Sequence, residues 1–148
     1  MQRTTLALRV FGLMVISILI LANSSNPNNG NTGGPGEGTC AGCHSSPPAG
    51  VNGIINLTGL PANVTPNTTY TLTLTSMVMS GSANTAGFQL VSLNTSNANA
   101  GDLMDLTSDV GTQTSGNGRE YVEHRGDKTI SGGQVSWTFE WTSPATAP

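Results

Sequence analysis

The chain has 148 residues, a formal net charge of −3, only 9% charged residues and two cysteines. This length accommodates one ordinary domain once a targeting segment is set aside. Loss of Arg3 and Arg9 with such a segment leaves three basic residues, Arg119, Arg125 and Lys128, against eight acidic residues, a net charge of −5. Nucleic acid is excluded as a partner, because phosphate binding depends on clustered Lys and Arg side chains.

The first 22 residues have the pattern of a secretory signal peptide. Arg3 and Arg9 form a basic region, and an apolar stretch over residues 10–22 follows it. We expect cleavage near Ala22, so the mature chain would be secreted, at the cell surface or periplasmic, with no membrane span. A retained anchor is the alternative, but Arg9 interrupts an apolar run that only approaches the length of a span.

Residues 23–38, NSSNPNNGNTGGPGEG, contain almost nothing that could enter a core. Their Asn, Gly and Pro content favours turns and flexible coil, so we expect a spacer. The remaining residues 39–148 would form a single domain that begins with a cysteine motif. The chain ends in WTSPATAP directly after a hydrophobic segment, and we expect that the domain is truncated at this end.

From residue 51 onward, apolar and polar residues alternate as in half-buried β-strands. The alternation is clearest in TYTLTLTS, residues 69–76, and in QVSWTFEW, residues 134–141. Weaker strand signals lie at residues 53–57, 87–93 and 120–124, with turn-forming residues between them. The stretch that contains Asp102, Asp105 and Asp109 resembles a loop. We predict an all-β fold, an antiparallel β-sandwich, with the cysteine motif on a loop or short helical turn at its N-terminal edge.

Three of the four cysteine and histidine residues lie within the segment CAGCH, at Cys40, Cys43 and His44. In a Cys-x-x-Cys-His motif the two thiols can form thioethers with the haem vinyl groups, and the adjacent histidine can bind the iron. The small residues Ala41 and Gly42 would let a flat ring approach the backbone. The motif therefore predicts one covalent haem c.

Two other chemistries remain open for the same residues. Cys40 and Cys43 could form a disulfide in an oxidising compartment. Such a bond would be better suited to redox exchange than to a structural cross-link. Zinc could bind Cys40, Cys43, His44 and His124, but the spacing differs from that of ordinary zinc sites.

A bound haem iron would leave a sixth position to fill. The first choice is His124, the only other histidine, which would share a strand face with Val122. The alternatives are Met77, Met79, Met104 or an open site, and His124 could instead be a hydrogen-bonded residue at a strand end. Two histidine ligands would give the iron a lower potential than a His/Met pair.

Five segments taken together resemble a known family: GGPGEGTCAGCHSS, GLPANVTPNTTYTLTLT, AGFQLVSLN, YVEHRG and VSWTFEWTSP. They are similar to segments of the exported bacterial choice-of-anchor V domain proteins, which are related to the Reeler domain of extracellular matrix proteins. The resemblance runs from about Gly33 to the end of the chain. It implies a β-sandwich with an N-terminal Cys-x-x-Cys-His segment, followed by an anchor or sorting region of variable type. It also implies haem attachment at Cys40 and Cys43, with His44 as proximal ligand and His124 as distal ligand.

The sequence thus predicts an exported mono-haem c-type cytochrome domain that transfers single electrons at or outside the cell envelope. Its partner would be a redox protein or an extracellular electron acceptor, and self-assembly is possible. An open sixth iron position would instead allow the binding of a small ligand. The alternative is a cell-surface adhesion or ligand-binding module with a Cys40–Cys43 disulfide.

Overall fold

The computed structural model describes residues 26–44 and 49–146, which form an almost entirely β structure. The predicted signal segment, residues 1–22, lies outside the described residues. The prediction of an all-β, antiparallel β-sandwich is confirmed. Within this part of the chain, the one helical element is the short 3-10 turn Cys40–Gly42. No helix in the described ranges is long and apolar enough to cross a membrane.

The strands form three sheets. The strand bounds are β1 Asn52–Thr58, β2 Thr69–Ser80, β3 Thr85–Ala86, β4 Gln89–Val91, β5 Asp102–Asp105, β6 Val110–Thr114, β7 Glu120–His124, β8 Lys128–Thr129 and β9 Gln134–Thr142. A four-stranded sheet has the order β1-β2-β9-β5, a three-stranded sheet has the order β4-β7-β6, and β3 pairs with β8.

The two clearest sequence alternations lie on β2 and β9, which pair with each other in antiparallel register. Leu72 pairs with Phe139 and Leu74 pairs with Trp137, and all four side chains are buried. The threonines between them point to the opposite face, as the two-residue period of a strand requires. This pair forms the central part of the four-stranded sheet.

The hydrophobic core lies between the four-stranded and three-stranded sheets. Trp137 and Phe139 on β9 contribute its largest side chains, and Val122 on β7 closes it from the other sheet. Phe88 packs between the sheets, with its ring centroid 4.9 Å from that of Trp137. The core thereby fixes the backbone of residue 88, which matters for the candidate site.

The prediction of a loop around residues 101–111 is wrong, because this stretch contains β5 and the start of β6. Only Leu103 of β5 is buried, and it pairs with Trp141. Asp102 and Asp105 occupy the exposed ends of the strand. A four-residue strand with one buried side chain gives no alternation that a sequence pattern could reveal.

The described part of the predicted spacer, together with the cysteine motif, forms an ordered segment that we call the arm, residues 26–44. Two backbone bonds, from Gly33 N–H to Gly38 and from Gly38 N–H to Gly30, close a compact turn. Gly33 has a φ of 76°, a conformation that a side chain would strain. The Asn31 N–H donates to Gln89 Oε1 at 2.9 Å and connects the arm to β4. A polar composition without core residues still allows an ordered segment when its backbone groups find partners.

Candidate functional site

The motif cysteines and His44 lie on a single turn at the end of the arm. The N–H of Gly42 donates to Thr39, and the N–H groups of Cys43 and His44 both donate to the Cys40 carbonyl, at 3.2 and 2.9 Å. In a helical turn, residues three and four positions apart share one face. Cys40, Cys43 and His44 therefore present their side chains together, and all three are exposed.

A cavity of about 420 Å³ lies between the arm and the edge of the sandwich. This volume is within the range of ordinary ligand pockets, about 300–1,000 Å³. The arm and the sandwich both contribute to its wall, which consists of Asn26, Pro27, Asn28, Asn31, Cys40, Cys43, His44, Thr85, Ala86, Gly87, His124 and Asp127. All four residues that the sequence singles out, Cys40, Cys43, His44 and His124, line this one cavity.

His124 is the last residue of β7, and its ring is held by the backbone of Phe88. Nδ1 lies 2.9 Å from both the N–H and the carbonyl oxygen of Phe88. If Nδ1 carries the proton it donates to the carbonyl, and Nε2 then has a free lone pair. Metal-bound histidines commonly use their second ring nitrogen in this way, which fixes the tautomer and the ring orientation. Within the described residues, Nε2 takes part in no hydrogen bond.

Gly87 allows the His124 ring to lie against the backbone. A Cβ atom at position 87 would lie 2.6 Å from Nδ1 and 2.7 Å from Nε2, and closer still to Cε1. Real Cβ atoms essentially never approach another heavy atom within 3.0 Å. Any side chain at position 87 would therefore displace the imidazole. Sequence patterns do not single out Gly87, which only begins one of the weaker predicted strands.

A charged cluster joins the arm to β7. Glu37 Oε1 accepts hydrogen bonds from Arg119 Nη1 at 2.5 Å and from the Tyr121 hydroxyl at 2.8 Å. Its Oε2 accepts a hydrogen bond from the Thr32 hydroxyl. The side chain of Glu37 is only 3% exposed and that of Arg119 is 11% exposed. Sequence patterns could not identify this cluster, because Glu37 and Arg119 are 82 positions apart.

The environment of the cluster favours an ionised Glu37. Burial raises the pKa of this carboxyl, but hydrogen bonds from Thr32, Tyr121 and Arg119 outweigh burial, and the pKa lies below its ordinary value. Burial raises the pKa of the Tyr121 hydroxyl, and its bond to Glu37 raises it further. Glu37 and Arg119 thus form a nearly buried ion pair.

A second buried carboxylate, Glu123, lies between β4 and β6. It is 1% exposed and accepts hydrogen bonds from Gln89 at 2.9 Å and from Gln113. Burial raises the pKa of Glu123, although these two amide groups oppose the shift. Gln89 also donates to the carbonyl of Asn28 at 3.1 Å. This network connects the first part of the arm to the three-stranded sheet.

The remaining candidate ligands lie away from the cavity. Met79 and Met104 are 63% and 53% exposed, and Met77 lies on β2. None of the three methionines is part of the cavity wall. In the described ranges, no group of three or more His, Cys, Asp or Glu side chains is close enough to hold a metal ion. The described residues therefore contain no preformed set of zinc ligands.

No protein-family model, curated protein or solved structure matches this chain. The resemblance to choice-of-anchor V domain proteins and the haem roles of Cys40, Cys43, His44 and His124 stay predictions.

Proposed function

We propose that this chain is an exported mono-haem c-type cytochrome domain that transfers single electrons at or outside the cell envelope. The observation that carries the proposal is the convergence of four residues on one cavity. Cys40, Cys43 and His44 come from a single turn of the arm, and His124 comes from β7, 80 positions after His44. These four are all the cysteines and histidines of the chain.

The donor set fits a covalent haem better than it fits a lone metal ion. The two thiols are three positions apart on one face of a turn, which matches the spacing rule for vinyl attachment. Thr85, Ala86 and Gly87 give the facing wall small side chains, and a flat ring could lie against them. Haem iron would supply reversible one-electron chemistry at this position.

The residues around the cavity have separate roles in this proposal. The Phe88 carbonyl would accept from Nδ1, which orients His124 and, in that tautomer, leaves Nε2 as the donor nitrogen. Asp127 is the one carboxylate in the cavity wall, and its negative charge would favour the more positive, oxidised state of a nearby metal. The exposed turn of the arm would give a redox partner or an extracellular acceptor direct access to the ring edge.

The test is the intact mass and the absorption spectrum of protein exported from a host with cytochrome c maturation. The expected result is red protein with roughly 600 daltons of added mass, from one haem. Cys43→Ala should lose or alter the attachment. Gly116→Ala is the control, since a Cβ at position 116 meets nothing within 4 Å and residue 116 is not part of the cavity wall.

His124→Ala, measured in the same spectra, separates a six-coordinate from a five-coordinate iron. A shift to a high-spin spectrum would support His124 as the sixth ligand. Colourless wild-type protein with the mass of the polypeptide less two hydrogens would overturn the proposal. That result would favour the adhesion module with a Cys40–Cys43 disulfide.

A further inference from the structure

The candidate site consists of two halves that the hydrophobic core does not hold together. The core cluster comprises residues between Leu72 and Phe139, and none of them belongs to the arm. The cysteines and His44 are on the arm, whereas His124 is on the sandwich. Polar contacts must therefore set the position of one half relative to the other.

Two sets of polar contacts join the halves: Gln89 with Asn28 and Asn31 of the arm, and the Glu37 cluster, which lies nearer along the chain to the cysteine turn. Glu37 precedes Cys40 by three residues, and its partner Tyr121 precedes His124 by three residues on the same strand. Three residues of an extended strand span roughly 10 Å. Arg119 is itself fixed, because its Nη2 donates to the Asn97 carbonyl at 2.9 Å. The cluster thus connects the turn that carries Cys40 to the strand that carries His124.

We propose that Glu37 is a positioning residue that ties the motif turn to β7, so that His44 and His124 face the same cavity at once. The inference rests on the proposed function for its haem readout, but the docking of the arm is measurable without haem. Glu37 does not touch the cavity itself. It acts through Arg119 and Tyr121.

The energetics favour release of the arm when the cluster is broken. A nearly buried ionic group that loses its partner is strongly destabilised, and the protein relieves this by rehydrating the group. Arg119 can be rehydrated if the arm moves away, at no cost to the core. Replacement of Glu37 should therefore open the arm locally and leave the sandwich folded.

The first experiment compares hydrogen exchange in the haem-free full chain, wild type and Glu37→Gln. The amide protons of Gly33 and Gly38, which are bonded within the arm, should exchange about tenfold faster or more in the variant, as expected when one charge-assisted hydrogen bond is lost from a local opening equilibrium. Amides of β9 should be unchanged. Glu120→Gln is the matched control, because Glu120 lies on the same strand but accepts from Leu103 N–H, away from the arm.

The second experiment uses the haem-loaded proteins. The thioether bonds and the adjacent His44 do not depend on the cluster, so Glu37→Gln should keep its haem but lose part of its His124 ligation. The expected result is a mixture of six- and five-coordinate spectra and faster binding of carbon monoxide. Tyr121→Phe, which removes one donor and keeps the ring, should give a smaller change of the same kind.

Unchanged exchange in the arm of Glu37→Gln would overturn the inference. Faster exchange combined with a fully six-coordinate haem and slow carbon monoxide binding would also overturn it, since the turn would then be positioned without Glu37. Wild-type protein that attaches no haem would overturn the proposed function instead. In that case the exchange comparison alone decides whether Glu37 holds the turn on β7.

Discussion

The His124 ring packs directly against Gly87, and Gly87→Ala tests what this contact does. Position 87 has no left-handed backbone conformation, so alanine fits the backbone. The added Cβ would lie 2.6 Å from Nδ1, whereas ordinary contacts begin at 3.4 Å. The ring must therefore move by at least about 0.8 Å, and a shift of that size away from Phe88 would take the 2.9 Å contact beyond hydrogen-bonding range.

The cost of this displacement follows from overpacking and from the lost hydrogen bond. Overpacking of a filled site costs about 1–3 kcal/mol. For a domain of this size, that loss lowers Tm by about 3–15 °C. In the haem-loaded protein, the same shift moves Nε2 away from its position at the cavity wall. We expect a partly five-coordinate iron as well as the lower Tm.

Thermal unfolding of the haem-free chain and absorption spectra of the loaded chain measure the two effects. Gly116→Ala is the control, because a Cβ at position 116 meets nothing within 4 Å and its backbone is unstrained. If Gly87→Ala keeps the wild-type Tm and a fully six-coordinate spectrum, the reasoning about His124 is refuted. A lower Tm with an unchanged spectrum would leave the packing argument standing and refute the ligand role.

Three further changes have expected outcomes. Within the described part of the chain, the buried Trp137 Nε1 has no hydrogen-bond partner, whereas Trp141 Nε1 donates to the Ala100 carbonyl. In denaturant unfolding, Trp141→Phe should therefore include a loss of about 1 kcal/mol for this hydrogen bond, which Trp137→Phe does not incur. Asp127→Asn removes a negative charge from the cavity wall and should raise the haem potential in a redox titration, on the order of 10 mV; an unchanged potential would contradict this. Because its hydrogen-bond partners hold the pKa of Glu37 below the ordinary 4.5, its ionised form contributes stability above pH 4.5 that is lost as the pH falls through the lowered value. In denaturant unfolding at a series of pH values, Glu37→Gln should therefore flatten the loss of stability below pH 4.5.

Sequence patterns predict the parts of the fold in which hydrophobic alternation is strong. β2 and β9 contain the two clearest alternating segments, and β7 lies at the predicted residues 120–124, where the strand signal is weaker. β5 was missed because only Leu103 among its four residues is buried. The two-residue strands β3 and β8 were missed for a similar reason, since two residues are too few to show a period.

Some residues of the candidate site can be predicted from local sequence patterns, and others depend on contacts between distant parts of the chain. The grouping of Cys40, Cys43 and His44 follows from their spacing, and His124 was singled out because it is the only other histidine. The role of Gly87 depends on its contact with His124, which is 37 positions away along the chain. The role of Glu37 depends on Arg119, which is 82 positions away. Steric contact and ion pairing at such separations leave no local pattern in one sequence. Residues 23–38 are predicted as a flexible spacer because the contacts of their described part, such as those of Asn31 with Gln89 and of Glu37 with Arg119, are also long-range.

The division of the site between arm and sandwich predicts how haem should affect stability. A thioether-linked haem remains on Cys40 and Cys43 in the unfolded chain, so its attachment alone does not favour the folded state. The folded state is stabilised only by haem–protein interactions that form on folding. In the proposed function, the sandwich contributes such an interaction through His124, whose Nε2 would bind the iron. The Tm of the loaded protein should therefore exceed that of the haem-free protein, and His124→Ala should remove most of that difference while changing the haem-free Tm much less. If His124→Ala leaves the full difference in place, the stabilisation comes from burial of the ring in the cavity, and the arm is held to the sandwich without an iron–histidine bond.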